Sequence, residues 1–441
     1  MKLNELKGKK ICILGFGREG KAMLDALPEC DAVVADKNSK FKIQNSKLSK
    51  ANMEFGKNYL NNLERFDIII KSPGVPPRKE LEAVKTKITN STQIFLDTIA
   101  DTGAIVIGVT GSKGKSTTAS LIYAILKTAG RDVYLAGNIG IPAISLIKKA
   151  KPGAVFVLEM SSAQLMNVKT SPQIAVITSF FPEHLDYHET LENYFKAKTN
   201  ITRWQGKNDY VVFSKNHEGA RKIANASPGR LIPCSEEDSP IKISETNLLG
   251  SHNAENIACA CKAAEVLGIA IDTAIKAIKE FQGLPHRLQN LGLHHGITWI
   301  DDSISTTPES AIAALDALGN HVQTIILGGK DRGLDYSVLG KRIAESKVKN
   351  VILIGESSLR IRKAIEMNRA NVALFDAKDM KTAVSLAKET SNEQPAFVRQ
   401  RRTTAGRRAT SNVCLLSPAS ASFDMFKNFE ERGDEFKKFI I

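Results

Sequence analysis

Short apolar runs recur along the chain at residues 10–14, 32–35, 67–70, 104–108, 133–136, 154–158, 174–178, 296–300, 324–327 and 351–354. None alternates apolar with polar positions, the pattern of strands buried on both faces. Between them lie stretches with helical spacing, among them residues 118–128, 190–204 and the alanine-rich 249–267. Strand, glycine turn and helix in repetition predict parallel, doubly wound sheets. Such sheets bind ligands just beyond the carboxyl ends of their strands, so the loops after these runs are the places to look for chemistry.

The pattern restarts near residue 98 and again after Leu284-Pro-His-Arg287, which predicts an α/β chain of three domains: 1–97, 98–287 and 288–441. Each is expected to hold a mostly parallel sheet flanked by helices: a Rossmann-like N-terminal domain, a P-loop central domain and a Rossmann-like C-terminal domain.

The strongest chemical signal is Val109-Thr-Gly-Ser-Lys-Gly-Lys-Ser-Thr-Thr118, between an apolar run and a helical stretch. Backbone N–H groups and a helix start in that setting cradle phosphate; Lys115 reaches the terminal phosphates and Ser116 a Mg²⁺ ion. Val109 stands where the strict pattern has glycine, so the loop is a shortened form. Glu159 closes the run 154–158, where a second Mg²⁺ ligand is expected. His184 follows the run 174–178 and is a candidate for metal or phosphate contact. Asn253 and Asn256 are three apart on one helical face, suited to adenine or ribose contacts or to plain capping. Lys196 and Lys198 lie on a helical stretch whose lysines, by composition, are solvated.

A second glycine motif, Gly15-Phe-Gly17-Arg-Glu-Gly20, follows the first apolar run, with Asp36 ending the next. The spacing fits a dinucleotide or a nucleotide diphosphate equally well. The run 67–70 enters Lys71-Ser-Pro-Gly-Val-Pro-Pro77, a rigid loop at a ligand-binding strand end.

Hydrophobic residues make up 42% and charged residues 24% of the 441, an ordinary globular balance. No run approaches the roughly 18 apolar residues of a membrane span, and the first residues do not read as a signal peptide, so a cytoplasmic protein is expected. The cysteines at 12, 30, 234, 259, 261 and 414 are scattered and read as reduced structural thiols. The net charge of +14 is spread along the chain apart from Arg399-Gln-Arg-Arg402 with Arg407-Arg408, and it suits anionic small substrates.

Taken together, Thr110-Gly-Ser-Lys-Gly-Lys-Ser-Thr117, Glu159-Met-Ser-Ser162, Glu183-His184, His252-Asn253 and Leu284-Pro-His-Arg287 resemble the motifs of the Mur ligases, in that family's order. These are ATP-dependent amino-acid ligases of peptidoglycan precursor synthesis. The run from Leu415 to Gly433 is similar to the signature of the branch that adds D-glutamate to UDP-N-acetylmuramoyl-L-alanine. The resemblance implies an acyl-phosphate mechanism, with ATP and two Mg²⁺ ions (or Mn²⁺) as cofactors. It implies that Gly111, Ser112, Lys113, Gly114, Lys115, Ser116, Thr117, Asn253, Asn256, Arg287 and Asp302 bind ATP. Lys115, His184 and Lys198 would be catalytic. Ser116, Glu159, His184 and a carbamylated Lys198 would hold the metals, which inverts the solvated reading of Lys198. Gly15, Gly17, Arg18, Asp36, Lys37, Ser72, Pro73, Gly74 and Asn138 would bind the UDP-muramoyl substrate. Thr306, Arg332, Ser422, Phe423 and Phe429 would bind glutamate. A monomer that binds neither nucleic acid nor membrane is expected.

The chain departs from the family's pattern at three places. Arg332 occupies the place of a lysine that faces the glutamate side chain. Asp302-Ser-Ile-Ser-Thr-Thr307 has Ile304 where the family carries lysine, so either Arg332 or Lys330 compensates or the amino acid differs, L-glutamate being the alternative. Residues 394–412 read as a basic insertion, a solvated loop first and a sequence irregularity second. Two further readings compete: a folylpolyglutamate-type ligase, and a nucleotide-dependent regulator that binds RNA through the arginines.

Overall fold

The computed structural model describes residues 1–38, 52–392 and 412–440. The basic segment singled out in the sequence falls almost wholly outside them.

Three sheets carry the chain. The first contains β1 (Lys10–Leu14), β2 (Asp31–Asp36), β3 (Met53–Phe55), β4 (Ile68–Lys71) and β5 (Ile88–Thr89), in the order β3-β2-β1-β4-β5. The second contains β6 (Ile105–Thr110), β7 (Val133–Gly137), β8 (Val155–Glu159), β9 (Ile174–Ile177), β10 (Tyr210–Ser214) and β11 (Arg230–Cys234), in the order β11-β10-β9-β6-β8-β7. Every pairing in these two sheets is parallel. The third contains β12 (Gln289–His294), β13 (Ile297–Asp301), β14 (Val322–Gly328), β15 (Asn350–Ile354), β16 (Ala373–Ala377) and β17 (Val413–Leu416), in the order β12-β13-β17-β14-β15-β16. It is parallel except for the hairpin β12–β13 at its edge. The apolar runs of the sequence thus become strands buried on both faces, with β4, β8 and β9 buried at every position.

The chain divides into two compact units, residues 1–242 with 252–280, and residues 243–251 with 281–441. The first two sheets share a unit because one apolar cluster joins them. It runs from Ile11 and Val34 through Ile94, Phe95 and Leu96 of the helix Ser91–Ile99 to Val106 and Phe156. Asn90 caps that helix, accepting a hydrogen bond from Gln93 N at 2.8 Å, and gives its side-chain amide to Gln164 O at 2.8 Å.

The predicted helices form with shifted ends. The phosphate-loop helix is Lys115–Thr128, the lysine-bearing helix Leu191–Thr199 and the alanine-rich helix Asn253–Val266. Thr190 caps the second of these, accepting from Asn193 N at 3.1 Å. No disulfide joins the six cysteines, five of which are buried. Among the described residues no helix is long and apolar enough to cross a membrane.

Candidate active site

The central strand β6 of the second sheet delivers the glycine loop. Gly111 has φ of +155° and Gly114 of +84°, values an L side chain rarely adopts. A Cβ on Gly111 would lie 2.0 Å from Thr178 Oγ1, and one on Gly114 2.4 Å from Asn256 Oδ1. Glycine is therefore required twice, for conformation and for room. The loop is braced from β9: Ser112 N donates to Ser179 O at 2.9 Å, and Thr178 Oγ1 donates to Lys113 O at 2.6 Å. Ser112 Oγ donates to Phe181 O at 2.9 Å and meets Tyr194 OH at 3.0 Å. Lys113 is held in an ion pair with Glu183 at 2.6 Å.

Lys115 folds back, donating to Gly111 O at 2.9 Å and Ser112 O at 2.8 Å. These neutral carbonyls are weaker partners for an ammonium than an anion is. Ser116 and Thr117 follow in the first helical turn, whose outward-facing amides and dipole favour an anion. Asn256 joins this site: its Oδ1 accepts from Thr118 Oγ1 at 3.2 Å, and its amide donates to Asn253 Oδ1 at 2.9 Å.

Beside the loop, Glu159 ends β8 with a side chain 1% exposed. Its Oε1 accepts from Asn138 Nδ2 at 2.8 Å, whereas Oε2 is buried with no hydrogen-bond partner. A buried carboxylate oxygen without a donor is costly, and a divalent cation removes that cost. The donor set fits Mg²⁺: one carboxylate, with the Ser116 hydroxyl one residue into the neighbouring helix. Among the described residues no three His, Cys, Asp or Glu side chains converge. That is compatible with Mg²⁺, which keeps waters and takes further ligands from phosphates.

Lys198 is the largest departure from its composition-based reading. Its side chain is 1% exposed, and its ammonium donates to Gly111 O at 2.7 Å and approaches Thr110 Oγ1 at 3.4 Å. Burial pushes its pKa well below the ordinary lysine value, Lys115 adds to the shift, and Glu183 and Glu159 oppose it. Lys196, two residues earlier, is exposed and paired with Glu192 at 2.6 Å. The helix therefore carries one solvated lysine and one buried lysine beside the phosphate loop. His184 is exposed, with φ of +55°, at the start of the helix Leu185–His188.

Two residues without a role in the sequence reading stand here too. Lys71, at the end of β4, is 5% exposed and donates to Val75 O at 2.6 Å and Tyr187 OH at 3.2 Å. Burial lowers its pKa to about 8. His188 is buried, with Nε2 2.9 Å from Ser162 Oγ and Nδ1 unpartnered. Burial first, then His184 and Lys198, lower its pKa to about 4, so it is a neutral imidazole at physiological pH. A lysine closing an otherwise all-isoleucine strand, and a second histidine four residues after His184, were the available signals.

The glycine turn of the first sheet is closely built. Gly15 has φ of +91°, and Ser72 Oγ donates to its carbonyl at 2.7 Å, bringing the loop of Ser72, Pro73 and Gly74 against the turn. Asp36 accepts from Phe16 N at 2.6 Å and Asn38 N at 2.7 Å, so its carboxylate braces the turn. Lys37 follows it, exposed. Gly17 precedes the helix Arg18–Ala26, and Arg18 donates to Asn138 O at 3.0 Å and Gly140 O at 3.1 Å.

In the second unit, Asp302 is buried. It accepts from Ser305 Oγ at 2.5 Å, Ser417 Oγ at 2.8 Å and Leu288 N at 3.1 Å. Burial raises its pKa to about 6 against these donors and Arg287. Arg287 itself has a buried Nε without a partner. Arg332 Nη2 donates to Thr306 O at 2.7 Å, so two of the expected glutamate ligands are brought together. Lys330 is instead paired with Glu356 at 2.7 Å. Arg332 has no carboxylate partner among the described residues. Ser422 is buried, Phe423 exposed, and the Phe429 ring stands edge-on to His286 at 6.2 Å between centroids. Arg432, fully buried, ties this corner together through Ser303 Oγ at 3.0 Å, Ser303 O at 2.8 Å and Ser420 O at 3.0 Å.

The Mur ligase middle domain family matches residues 109–243, and the Mur ligase, glutamate ligase domain family matches residues 286–398. UDP-N-acetylmuramoylalanine–D-glutamate ligase of Acetivibrio thermocellus is 33% identical, covering 100% of this chain and 98% of that protein. The ligase of the same name from Streptococcus agalactiae is also 33% identical, over 98% and 97%. Among solved structures, the fold is similar to MurF ligase from Thermotoga maritima in complex with ADP, with a TM-score of 0.60 at 16% identity over 100% of this chain and 96% of that one. It is also similar to UDP-N-acetylmuramate-alanine ligase from the same organism, with a TM-score of 0.58 at 16% identity over 98% of both chains.

Proposed function

This chain belongs to the Mur ligase family, and we propose that it joins D-glutamate to the alanyl carboxylate of UDP-N-acetylmuramoyl-L-alanine, with conversion of ATP to ADP and phosphate, in peptidoglycan precursor synthesis. The observation that carries the reading is the phosphate loop flanked by a bare, buried Glu159 oxygen and a buried Lys198 amine. These features support a site for a triphosphate with a metal ion beside it. The full-length identity to ligases of that name selects the amino acid and the acceptor.

A carboxylate resists attack by an amine because its leaving group would be oxide. In the reaction proposed, the alanyl carboxylate attacks the γ-phosphorus, the bond to ADP breaks, and an acyl phosphate forms. The glutamate amine then attacks the carbonyl carbon, and phosphate leaves. Both partners of the first step are anions, so neutralisation and alignment supply the catalysis. Lys115 exchanges loop carbonyls for phosphate oxygens, and Gly111, Ser112, Lys113, Gly114 and Thr117 line the same cradle, with Ser112 N and Lys113 N anchored on Ser179. Ser116 and Glu159 hold one Mg²⁺, and His184 with a carbamylated Lys198 holds the other, Mn²⁺ being an alternative. When bound, the metals neutralise the charge of the phosphates. Burial suits Lys198 to carbamylation, because only the neutral amine adds to carbon dioxide.

By the same reading, Asn253, Asn256, Arg287 and Asp302 contact the nucleotide. Gly15, Gly17, Arg18, Asp36, Lys37, Ser72, Pro73, Gly74 and Asn138 serve the UDP-muramoyl substrate. Thr306, Arg332, Ser422, Phe423 and Phe429 serve glutamate, with Arg332 giving the side-chain carboxylate a two-pronged partner. Residues 1–97, 98–287 and 288–441 form the three corresponding domains of a cytoplasmic monomer. Phosphate release from ATP by the purified protein, with UDP-N-acetylmuramoyl-L-alanine and either glutamate enantiomer, tests the proposal. Release with D-glutamate alone is expected. Release with L-glutamate alone refutes the stereochemistry, and none with either enantiomer refutes the ligase reading.

A further inference from the structure

Arg18 and Glu19 of Gly15-Phe-Gly17-Arg-Glu-Gly20 reach away from their own glycine turn. Arg18 is the first residue of its helix, where a cation opposes the helix dipole. Its guanidinium nevertheless sits there, with Nη2 on Asn138 O at 3.0 Å and Nη1 on Gly140 O at 3.1 Å. Those carbonyls belong to the turn that follows β7. That turn rests on the metal carboxylate of the proposed function. Asn138 N donates to Glu159 O at 2.9 Å, and Asn138 Nδ2 donates to Glu159 Oε1 at 2.8 Å. The approach is so close that a Cβ on Gly137 would lie 2.3 Å from Glu159 O.

Glu19 makes a second attachment beyond Glu159. It accepts from Gln164 Nε2 at 3.0 Å and from Ser91 Oγ at 2.5 Å. Gln164 is 3% exposed and closes a reciprocal cap with Ser161, its Oε1 accepting from Ser161 N at 2.9 Å and its own N donating to Ser161 Oγ at 3.3 Å. Arg18 and Glu19 thus grip the chain on both sides of Glu159, one through the turn after β7 and one through the residues after β8.

We propose that Arg18 and Glu19 are positioning residues for Glu159: they hold Asn138 and Gln164 so that Glu159 Oε1 stays engaged and Oε2 faces the metal. The inference rests on the metal role of Glu159 in the proposed function. Arg18 thereby does more than contact the diphosphate of the first substrate. It connects the turn that receives that substrate to the carboxylate that receives the metal.

The test uses the full-length protein, with binding of a fluorescent ATP analogue titrated against Mg²⁺, a readout that needs no turnover. Arg18→Ala is expected to raise the Mg²⁺ concentration for half-maximal binding by about 10-fold, the low end for partners that orient a ligand because solvent competes for these bonds. Arg18→Lys, which makes one bond in place of two, is expected to fall between, and Glu19→Gln to shift the Mg²⁺ requirement in the same direction. Asn138→Ala should raise it at least as far as Arg18→Ala, and adding Arg18→Ala to Asn138→Ala should change nothing more, because the first acts through the second. Melting temperatures of all variants identify any that fail to fold. An unchanged Mg²⁺ requirement in folded Arg18→Ala, with only KM for the UDP substrate raised, overturns the proposal, and so do additive effects in the double variant. Mg²⁺-independent binding in the unaltered protein would instead count against the metal role of Glu159 itself.

Discussion

Replacing Lys198 with alanine isolates the buried amine beside the phosphate loop. The amine is 1% exposed and lies 2.7 Å from Gly111 O, with Lys115, Glu183 and Glu159 near enough to move its pKa. Truncation removes three buried methylenes, about 2.4 kcal/mol of apolar burial. It also removes a basic group whose charge burial penalises, so the net loss of stability is smaller than that figure. The variant is therefore expected to stay folded, with a melting temperature lowered by less than about 10 °C. Turnover should drop by about 100-fold or more, the scale of losing a group that holds or orients a catalytic metal. If the working form is a carbamate, a short carboxylate such as acetate or propionate can occupy the vacated volume. It should then recover turnover in a saturable way. Phosphate release is the assay, with the melting curve as control. Full turnover in Lys198→Ala refutes a catalytic role. A folded, inactive variant that no short carboxylate rescues refutes the carbamate while leaving the lysine essential.

Two further outcomes follow from the same coordinates. Gly114→Ala forces a left-handed φ of +84° on alanine and drives its Cβ to 2.4 Å from Asn256 Oδ1. The strain of about 1–2 kcal/mol and the loss of roughly 1 kcal/mol for each disturbed Asn256 bond should weaken ADP binding by about 100-fold in calorimetry; unaltered affinity defeats the argument. Asp302, raised by burial to about 6, holds its proton more tightly in the folded than in the unfolded chain. Its contribution is complete below about pH 4 and is lost as pH rises through 6, on the order of 3 kcal/mol. Asp302→Asn should flatten that part of the stability–pH curve measured by denaturant, and superimposable curves for the two proteins would rule the mechanism out.

Much of this protein was legible without coordinates. The double-sided burial of parallel strands leaves uninterrupted apolar runs, and the glycine turn after each marks where a ligand can approach. Gly111, Gly114 and Lys115 stand out because their chemistry depends on backbone freedom and a local helix start, both encoded within a few residues. Glu159 and His184 stand out in the sequence by the same logic, as polar residues that close or follow apolar runs.

Tertiary structure decided what those residues touch. Lys196 and Lys198 are indistinguishable by type and differ by two positions, yet packing of their helix exposes one and buries the other beside Gly111. The grouping of the first two sheets in one unit depends on an apolar cluster gathered from distant segments. Lys330 and Arg332 are equal candidates by sequence to replace the charge absent at Ile304, and only the fold pairs Lys330 with Glu356. Asp36 and Arg18, expected at the substrate, prove to be engaged with backbone groups of Phe16, Asn38, Asn138 and Gly140. Sequence determines local backbone geometry and which faces must be buried, because both follow from neighbouring residues. It does not determine which oxygen of Glu159 is left without a donor, since that depends on Asn138, brought from another strand by the fold.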